Sequence, residues 1–414
     1  MPSHVVNQPW SPDVCQGRDE MSVSAVYARY CQRIKEKNAA ESLTRQRFVA
    51  NRVIENQVEV NGQSLLSFCS NDYLGLAQHH EVMQASIEGV KRYGLGSGSS
   101  ALISGHSPAH ERLEAVFSKV LKREKTLLFN SGYHANLAIL TCFANRHAIV
   151  IADKACHASM MDGAVLSRAT CLRYRHQDSE QAERLLEKYR DHPVILMTES
   201  VFSMSGDRTD LKKWSQLADQ YQALLVVDDA HGFGVLDTVL TQQAVPCLMV
   251  PFGKSLGSMG AVVSGDASLI ETLMQTARSY RYSTALPPAV CEASVAALQV
   301  MLREPERGSR VRELSAYFVK AALERDLPLI STHATPIKSI AIGDNVLTEQ
   351  IQARLMQDGF YVSCIRPPTV PAHSARIRIS LNYFHTESQI KALLDKLTLY
   401  LRMRVDRSCQ PEKY

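Results

Sequence analysis

Lys254 closes an apolar run, Cys247-Leu-Met-Val-Pro-Phe-Gly-Lys254, and lies among Gly253, Ser255, Gly257, Ser258 and Gly260. Such a run reads as a buried strand, which delivers its last residue to the carboxyl edge of a sheet, where open α/β sheets bind ligands. Small neighbours let a flat ligand approach the backbone. A lysine drawn out of water has a lowered pKa and can form a Schiff base. Taken alone, it would more often be a solvated side chain in a glycine-rich loop.

An upstream stretch asks for the same chemistry. Ala223-Leu-Leu-Val-Val-Asp228-Asp229-Ala-His231-Gly-Phe-Gly234 is a second apolar strand ending in a carboxylate, with a histidine three positions on. A strand-end aspartate with an Asp-x-x-His turn, followed by a strand-end lysine, is the arrangement pyridoxal 5′-phosphate (PLP) needs. The carboxylate keeps the pyridine nitrogen protonated and the lysine carries the cofactor. Each half is a weak signal, and the two in this order form a strong one.

Other stretches offer supporting groups, each with a plainer reading. Asn130-Ser131-Gly132-Tyr133-His134 follows a strand and opens a helix, so its amides suit a phosphate, although Asn130 or Ser131 could simply cap the helix. His157, in Asp153-Lys-Ala-Cys-His157-Ala-Ser159, is as a type more often a capping or core residue. Ser203 and Thr284 offer hydroxyls, the first past a strand and the second ahead of Pro287-Pro288. Arg366, before Pro367-Pro368, and Arg376 and Arg378 offer guanidiniums suited to a carboxylate. Strand alternation puts Arg376 and Arg378 on one face, and either could be the inward one.

Two further motifs fail on context. Gly94-Leu-Gly-Ser-Gly98 imitates a dinucleotide fingerprint, but 88–93 ahead of it reads as helix rather than strand. Gly253-Lys254-Ser255 imitates the end of a P-loop, yet Leu248 stands where the leading glycine belongs.

The elements that must position these groups follow from patterning. Apolar strands are predicted at 126–130, 148–152, 170–174, 194–198, 224–228, 248–252 and 261–264, with amphipathic helices such as 179–189 and 210–221 between many of them. That is a mostly parallel seven-stranded sheet with helices on both faces, an α/β fold. After residue 304 a smaller α+β segment is expected, with helices at 311–324, 347–358 and 388–402 and strands at 337–342 and 376–379. Ahead of the sheet, a helical pattern from Ser22 through Val23, Tyr27, Tyr30 and Ile34 continues towards Arg45, and 58–68 reads as a hairpin turning at Asn61-Gly62. The predicted division is a loose extension at 1–20, a helix and hairpin segment at 21–70, a large domain at 71–304 and a small one at 305–414.

The chain has 414 residues, 45% hydrophobic and 21% charged, with a net charge of +4 and no concentrated basic tract, which argues against nucleic acid. No apolar run approaches the ~18 residues of a membrane span. The first ten residues lack the basic-then-apolar order of a secretory signal. Ten cysteines form no Cys-x-x-Cys pair. The expectation is a reduced, cytoplasmic protein without a structural metal.

The motif set resembles the α-oxoamine synthase family of PLP enzymes, which have the aspartate-aminotransferase fold (fold type I). The similarity runs from about Arg45 to about Leu401. It rests on Ser70-Asn-Asp-Tyr-Leu-Gly-Leu, Ser131-Gly-Tyr, His157-Ala-Ser, Val201-Phe-Ser-Met-Ser-Gly-Asp207, Val227-Asp-Asp-Ala-His-Gly232, Phe252-Gly-Lys, Tyr282-Ser-Thr-Ala-Leu-Pro-Pro288 and Arg366-Pro-Pro-Thr-Val-Pro371. The resemblance implies that Lys254 is the Schiff-base lysine and later the base at Cα, and that Asp228 pairs with the pyridine nitrogen. His157 would stack on the ring, with Ser203 and His231 at the phenolic oxygen. Gly132 and Tyr133 amides, with Thr284 of a second subunit, would hold the phosphate. Arg378 would take the amino-acid carboxylate, Asn71 would line the substrate site, and Arg45 is a candidate for the far carboxylate of the acyl chain, with Arg366 a further substrate-binding candidate. The implied reaction is decarboxylative condensation of L-alanine with a pimeloyl thioester of coenzyme A or acyl carrier protein, in a homodimer with shared sites. Glycine-using acyltransferases, an aminotransferase and an inactive regulator of the same fold are the alternatives.

The chain departs from that family twice. Pro251 replaces a threonine or serine that bonds the phosphate, and proline has neither hydroxyl nor N–H. The connection from Gly234 to Leu248 is short and lacks the family's glycines. Ser255, Thr284 or a water is expected to compensate for Pro251.

Overall fold

The computed structural model describes residues 25–40, 44–45, 47–237 and 240–408. They fall into two units that divide between Arg47 and Phe48. In the first, the helix Ala25–Ala40 leaves Tyr27, Tyr30 and Ile34 exposed. Residues 44–45 and 47–49, which the predicted continuation towards Arg45 and beyond would have reached, are not helical. The expectations for residues 1–24, including the loose extension, lie outside the described residues.

The second unit opens with β1 (Ala50–Ile54), β2 (Gln57–Val60) and β3 (Gln63–Ser67). The β2–β3 turn has φ of 52° at Asn61 and 77° at Gly62. Positive φ at both central residues is what a two-residue hairpin turn of matching twist requires, and Asn-Gly meets it at least cost. β1 was not expected. Ala-Asn-Arg-Val-Ile carries no alternation, and the strand forms by pairing along β2.

Seven strands then build the main sheet: β4 (Lys125–Phe129), β5 (Ile149–Asp153), β6 (Thr170–Tyr174), β7 (Val194–Glu199), β8 (Leu224–Asp228), β9 (Cys247–Pro251) and β10 (Ala261–Gly265). Their spatial order is β4-β10-β9-β8-β7-β5-β6. β10 runs antiparallel to both neighbours, and the other contacts are parallel. Both faces are covered, which is why these strands read as continuous apolar runs. Ile149, Ile151, Leu225 and Val227 face one core layer, while Val150, Ala152 and Val226 face the other. Each fully buried side chain of this size contributes about 1.5–3 kcal/mol.

The last part of the chain adds β11 (Ile337–Gly343), β12 (Phe360–Tyr361), β13 (Ser363–Ile365) and β14 (Ala375–Ser380). β11, β14 and β13 form an antiparallel sheet, whereas β12 pairs in parallel with β3. The early hairpin is therefore tied to chain almost 300 positions later. A separate core of Leu314, Phe318, Ile340, Ile377, Leu393 and Leu397 joins this sheet to the helices Glu306–Leu323 and Glu387–Ser408. Residues 101–105 form one π-helical turn, Ala101–Gly105. Among the described residues, no helix is long and apolar enough to cross a membrane.

The short connection into β9 is held from outside. Arg123, buried between the helix Pro108–Leu121 and β4, donates to the Leu240 carbonyl at 2.6 Å and to the Val245 carbonyl. Burial pushes its pKa down to about 10. Arg312 donates to the carbonyl of Val235 at 2.5 Å.

Candidate active site

Because β10 alone runs backwards, β4, β5, β7, β8 and β9 all end at one edge. Asn130 and Ser131, His157, Ser203, His231 and Lys254 follow those five strands in turn, so the sheet gathers residues far apart in sequence. That edge is where ligands bind in open α/β sheets.

At its centre are two carboxyl groups. Asp228 and Glu199 end neighbouring strands and are register partners, and both are buried. Asp228 accepts from Asn136 Nδ2 at 2.9 Å through Oδ2 and from the Ala230 amide at 3.0 Å through Oδ1. Glu199 accepts from the His157 amide at 2.6 Å and from the Ser203 amide. Burial raises the pKa of both, and the charge of Asp228 adds to the rise at Glu199, which goes well above the usual carboxylate range. Asn136, His157 and Lys254 oppose the rise at Asp228. Two like charges this close cannot both persist out of water. Glu199 holds the proton, and Asp228 is the carboxylate left to meet a cation.

Lys254 is largely buried. Desolvation lowers its pKa first, and the Arg378 guanidinium lowers it further, against the pull of Asp228 and Glu199. His231, buried at the same edge, is pushed well below the ordinary histidine range by burial and then by Lys254, Arg378 and His157, so its imidazole is neutral at pH 7. Its Nδ1 lies 2.6 Å from the Tyr73 hydroxyl. Asn71 Oδ1 accepts from Tyr73 at 3.2 Å and from Arg378 at 3.2 Å. Arg378 also donates to the Ser203 carbonyl at 2.7 Å and to Ser380 at 3.0 Å. One hydrogen-bonded chain thus runs from Arg378 through Asn71 and Tyr73 to His231. Of the two arginines on β14, Arg378 is the buried one, while Arg376 bonds the carbonyls of Ser374 and Met204.

The opposite end of the site is sparser. Ser131 caps the helix Gly132–Phe143 by accepting from the His134 amide at 3.2 Å, which leaves the Gly132 and Tyr133 amides at the helix start. A Cβ at Gly132 would lie 3.3 Å from Met249 and from Pro251, so Pro251 packs beside this helix start. Ser255 does not compensate for the missing hydroxyl: it is buried and donates to the Phe233 carbonyl at 2.6 Å. Thr284 is exposed, its backbone carbonyl held by Asn130 Nδ2 at 2.8 Å. His157 caps the helix Ala158–Ser167, with its ring edge-on to Tyr133 at 6.4 Å. The Tyr133 hydroxyl donates to Asp162.

Arg366 is buried and its guanidinium is paired with Glu349. Arg45 belongs to the first unit and is exposed. Three residues were missed: Glu199, Asn136 and Tyr73. Glu199 had a signal, since it ends its strand as Asp228 does, but only register reveals the pair. A cavity of about 600 Å3 lies behind the edge, lined by Ser200, Asp229, Phe233, Leu236, Leu240 and Leu248; neither Lys254 nor Asp228 lines it.

The residues fit PLP by their own chemistry. A buried carboxylate awaits a cationic ring nitrogen, a lysine of lowered pKa stands by, and a helix start offers amides to a phosphate dianion. The chain matches the class I and II aminotransferases over residues 63–397, and it belongs to that family. Its fold is the PLP-dependent fold type I. A serine palmitoyltransferase from Sphingomonas wittichii superposes with a TM-score of 0.86 at 23% identity, covering 91% of this chain and 98% of that one.

Within the family the chain belongs with the 8-amino-7-oxononanoate synthases. It is 40% identical to that enzyme of Nitrosococcus oceani over 87% of this chain and 98% of the relative. It is 42% identical to that of Methylococcus capsulatus over 86% and 96%. The crystal structure of the Francisella tularensis enzyme matches with a TM-score of 0.73 at 31% identity, over 82% of this chain and 99% of that one.

Proposed function

We propose that this chain condenses L-alanine with a pimeloyl thioester to 8-amino-7-oxononanoate, CO2 and the free thiol, in a cytoplasmic homodimer. The carrying observation is the cluster of half-buried Lys254 with buried Asp228, His231 and Arg378 at one sheet edge, in a chain about 40% identical to such synthases.

PLP, when bound, supplies the electron sink that makes a carbanion at the amino acid's Cα accessible. The protein does the rest. Asp228 holds the proton on the ring nitrogen, with Asn136 and the Ala230 amide keeping its carboxylate in place. Arg378 takes the alanine carboxylate, oriented by Ser203 and Asn71. Lys254, its pKa lowered by burial, removes the Cα proton at neutral pH. His231 is neutral and donates from Nδ1 to the Tyr73 oxygen, whose own proton goes to Asn71, so its ring is fixed beside Ser203 at the place of the phenolic oxygen. His157 covers the ring, and the Gly132 and Tyr133 amides hold the phosphate.

The dimer reading rests on exposed apolar side chains. Leu95, Ile103, Met259 and Tyr282 are 83, 80, 58 and 66% exposed. They lie on segments joined by the Ser100–Thr284 bridge, by Ser97 donating to the Leu286 carbonyl and by the close approach of Gly260 to Leu286. A second copy would cover this surface and bring its Thr284 to the phosphate. Arg45 remains a candidate for the far carboxylate of the acyl chain.

A CO2-release assay crossing alanine, glycine and serine with acetyl, pimeloyl and palmitoyl thioesters tests the reading. Alanine with pimeloyl thioester should exceed every other pair by at least about tenfold, and Lys254→Ala should release nothing. Preference for glycine would transfer the chain to the glycine-using acyltransferases.

A further inference from the structure

The segment 201–207 carries Ser203 and is gripped from two sides. On one side the smaller sheet holds it: Arg378 donates to the Ser203 carbonyl at 2.7 Å, Ser339 to Met204 at 2.7 Å and Thr335 to Gly206 at 2.7 Å. Gly206 has φ of 80°, and a Cβ there would lie 2.1 Å from the Ile337 carbonyl. On the other side Glu199 accepts from the Ser203 amide, and one side chain reaches the far end of the segment at Asp207. His176 follows β6 and places Nδ1 3.0 Å from Asp153 Oδ1 and Nε2 3.0 Å from Asp207 Oδ2. Its ring lies edge-on to Phe202 at 4.4 Å. Asp153 ends β5, is fully buried, and also accepts from the amides of Ala155 at 2.7 Å and Gln177 at 2.8 Å. Ionised carboxylates only accept, so two of them on opposite ring nitrogens require both nitrogens to carry protons. His176 is an imidazolium strut between the main sheet and the loop.

We propose that His176 is a positioning residue for amino-acid binding: by fixing Asp207 it holds the Ser203 carbonyl where it aligns the guanidinium of Arg378. This rests on the reading that Arg378 takes the alanine carboxylate. Burial works against the charge on His176, but the two carboxylates outweigh it and carry its pKa up to about 9, while Asp207 falls to about 2. On the far side of Asp207 lie His333 at 3.8 Å, Lys338 and Arg376, and on the near side the charge facing His176 is Asp153. A pKa raised above the unfolded value means the strut contributes fully below about pH 6.5, the ordinary histidine value, and is lost as pH rises through about 9.

The test is the KM for alanine in His176→Gln against the unsubstituted enzyme, with PLP and acyl thioester saturating. At pH 7.5 the variant should show about a tenfold higher KM for alanine, the effect of one lost charge-assisted contact, with kcat changed less than about twofold. The ratio of the two KM values should fall towards one as pH rises to about 10, since the unsubstituted enzyme loses its strut; taking the ratio cancels the titration of alanine itself. Asp207→Asn cuts the same bridge at its more exposed end and should reproduce the KM rise, so it decides the matter should His176→Gln fail to fold. Equal KM values at pH 7.5, a ratio that does not change with pH, or a loss confined to kcat would overturn the assignment. Arg378→Met is the control: if it leaves the alanine KM unchanged, the reading of Arg378 is what failed. If it raises KM while His176→Gln does not, the strut is what failed.

Discussion

The two ends of the site are built differently. Around Asp228 and Arg378 nearly every polar atom has a partner within the same chain: Glu199 bonds two loops, Asn136 bonds Asp228, and Asn71 links Arg378 to Tyr73 and His231. At the phosphate end the chain supplies a helix start, a proline, a serine already committed to Phe233 and a threonine facing outward. The exposed apolar side chains of 95–103 and 282 lie on that second side. The ring and carboxylate end is therefore complete within one chain, whereas the phosphate end, in the dimer we propose, is finished by the second copy.

Substitutions can set the two ends against each other. The largest effect belongs to Asp228→Asn, which removes the carboxylate facing the ring nitrogen and leaves Asn136 against a second amide. We expect kcat to fall by about a hundredfold or more, roughly 2.7 kcal/mol, in steady-state CO2 release. A fall of only a few-fold would mean that the ring nitrogen does not need its proton. Pro251→Thr addresses the other end. A restored hydroxyl beside Gly132 should tighten PLP by about three- to tenfold, measured by dialysis and absorbance, without changing the chemical step. Unchanged or weaker binding would show that the pocket is already closed around the proline. The smallest effect is expected for Glu199→Gln. An amide mimics the protonated acid that burial beside Asp228 imposes, so kcat should stay within about threefold from pH 6 to 8. A large loss there would place the negative charge on Glu199 and reverse the assignment of the pair.

Much of this site could be read from residue order, for a physical reason. Strands buried on both faces are written as apolar runs, and the polar residue ending each run must emerge at the sheet edge. Lys254, Asp228, His231 and His157 are visible on that ground. What cannot be read is lateral: which strand neighbours which, and in what register. Glu199 and Asp228 are 29 positions apart and become neighbours that cannot both carry charge only because β7 and β8 are adjacent. Arg366 suited a substrate by type, and its pairing with Glu349 depends on how a helix and a loop pack. The fold class needed no such detail, whereas β1 and β12 exist only through their partners.

Arg123 has a consequence of a different kind. In the connection between Gly234 and β9 the carbonyls of Leu240 and Val245 both accept from the guanidinium of Arg123, which stands just ahead of β4. We therefore expect the length of the connection and the identity of residue 123 to be inherited together. A lineage that keeps the longer, glycine-bearing connection has no use for a cation at that place. In an alignment of relatives, the arginine and the gap should come and go together.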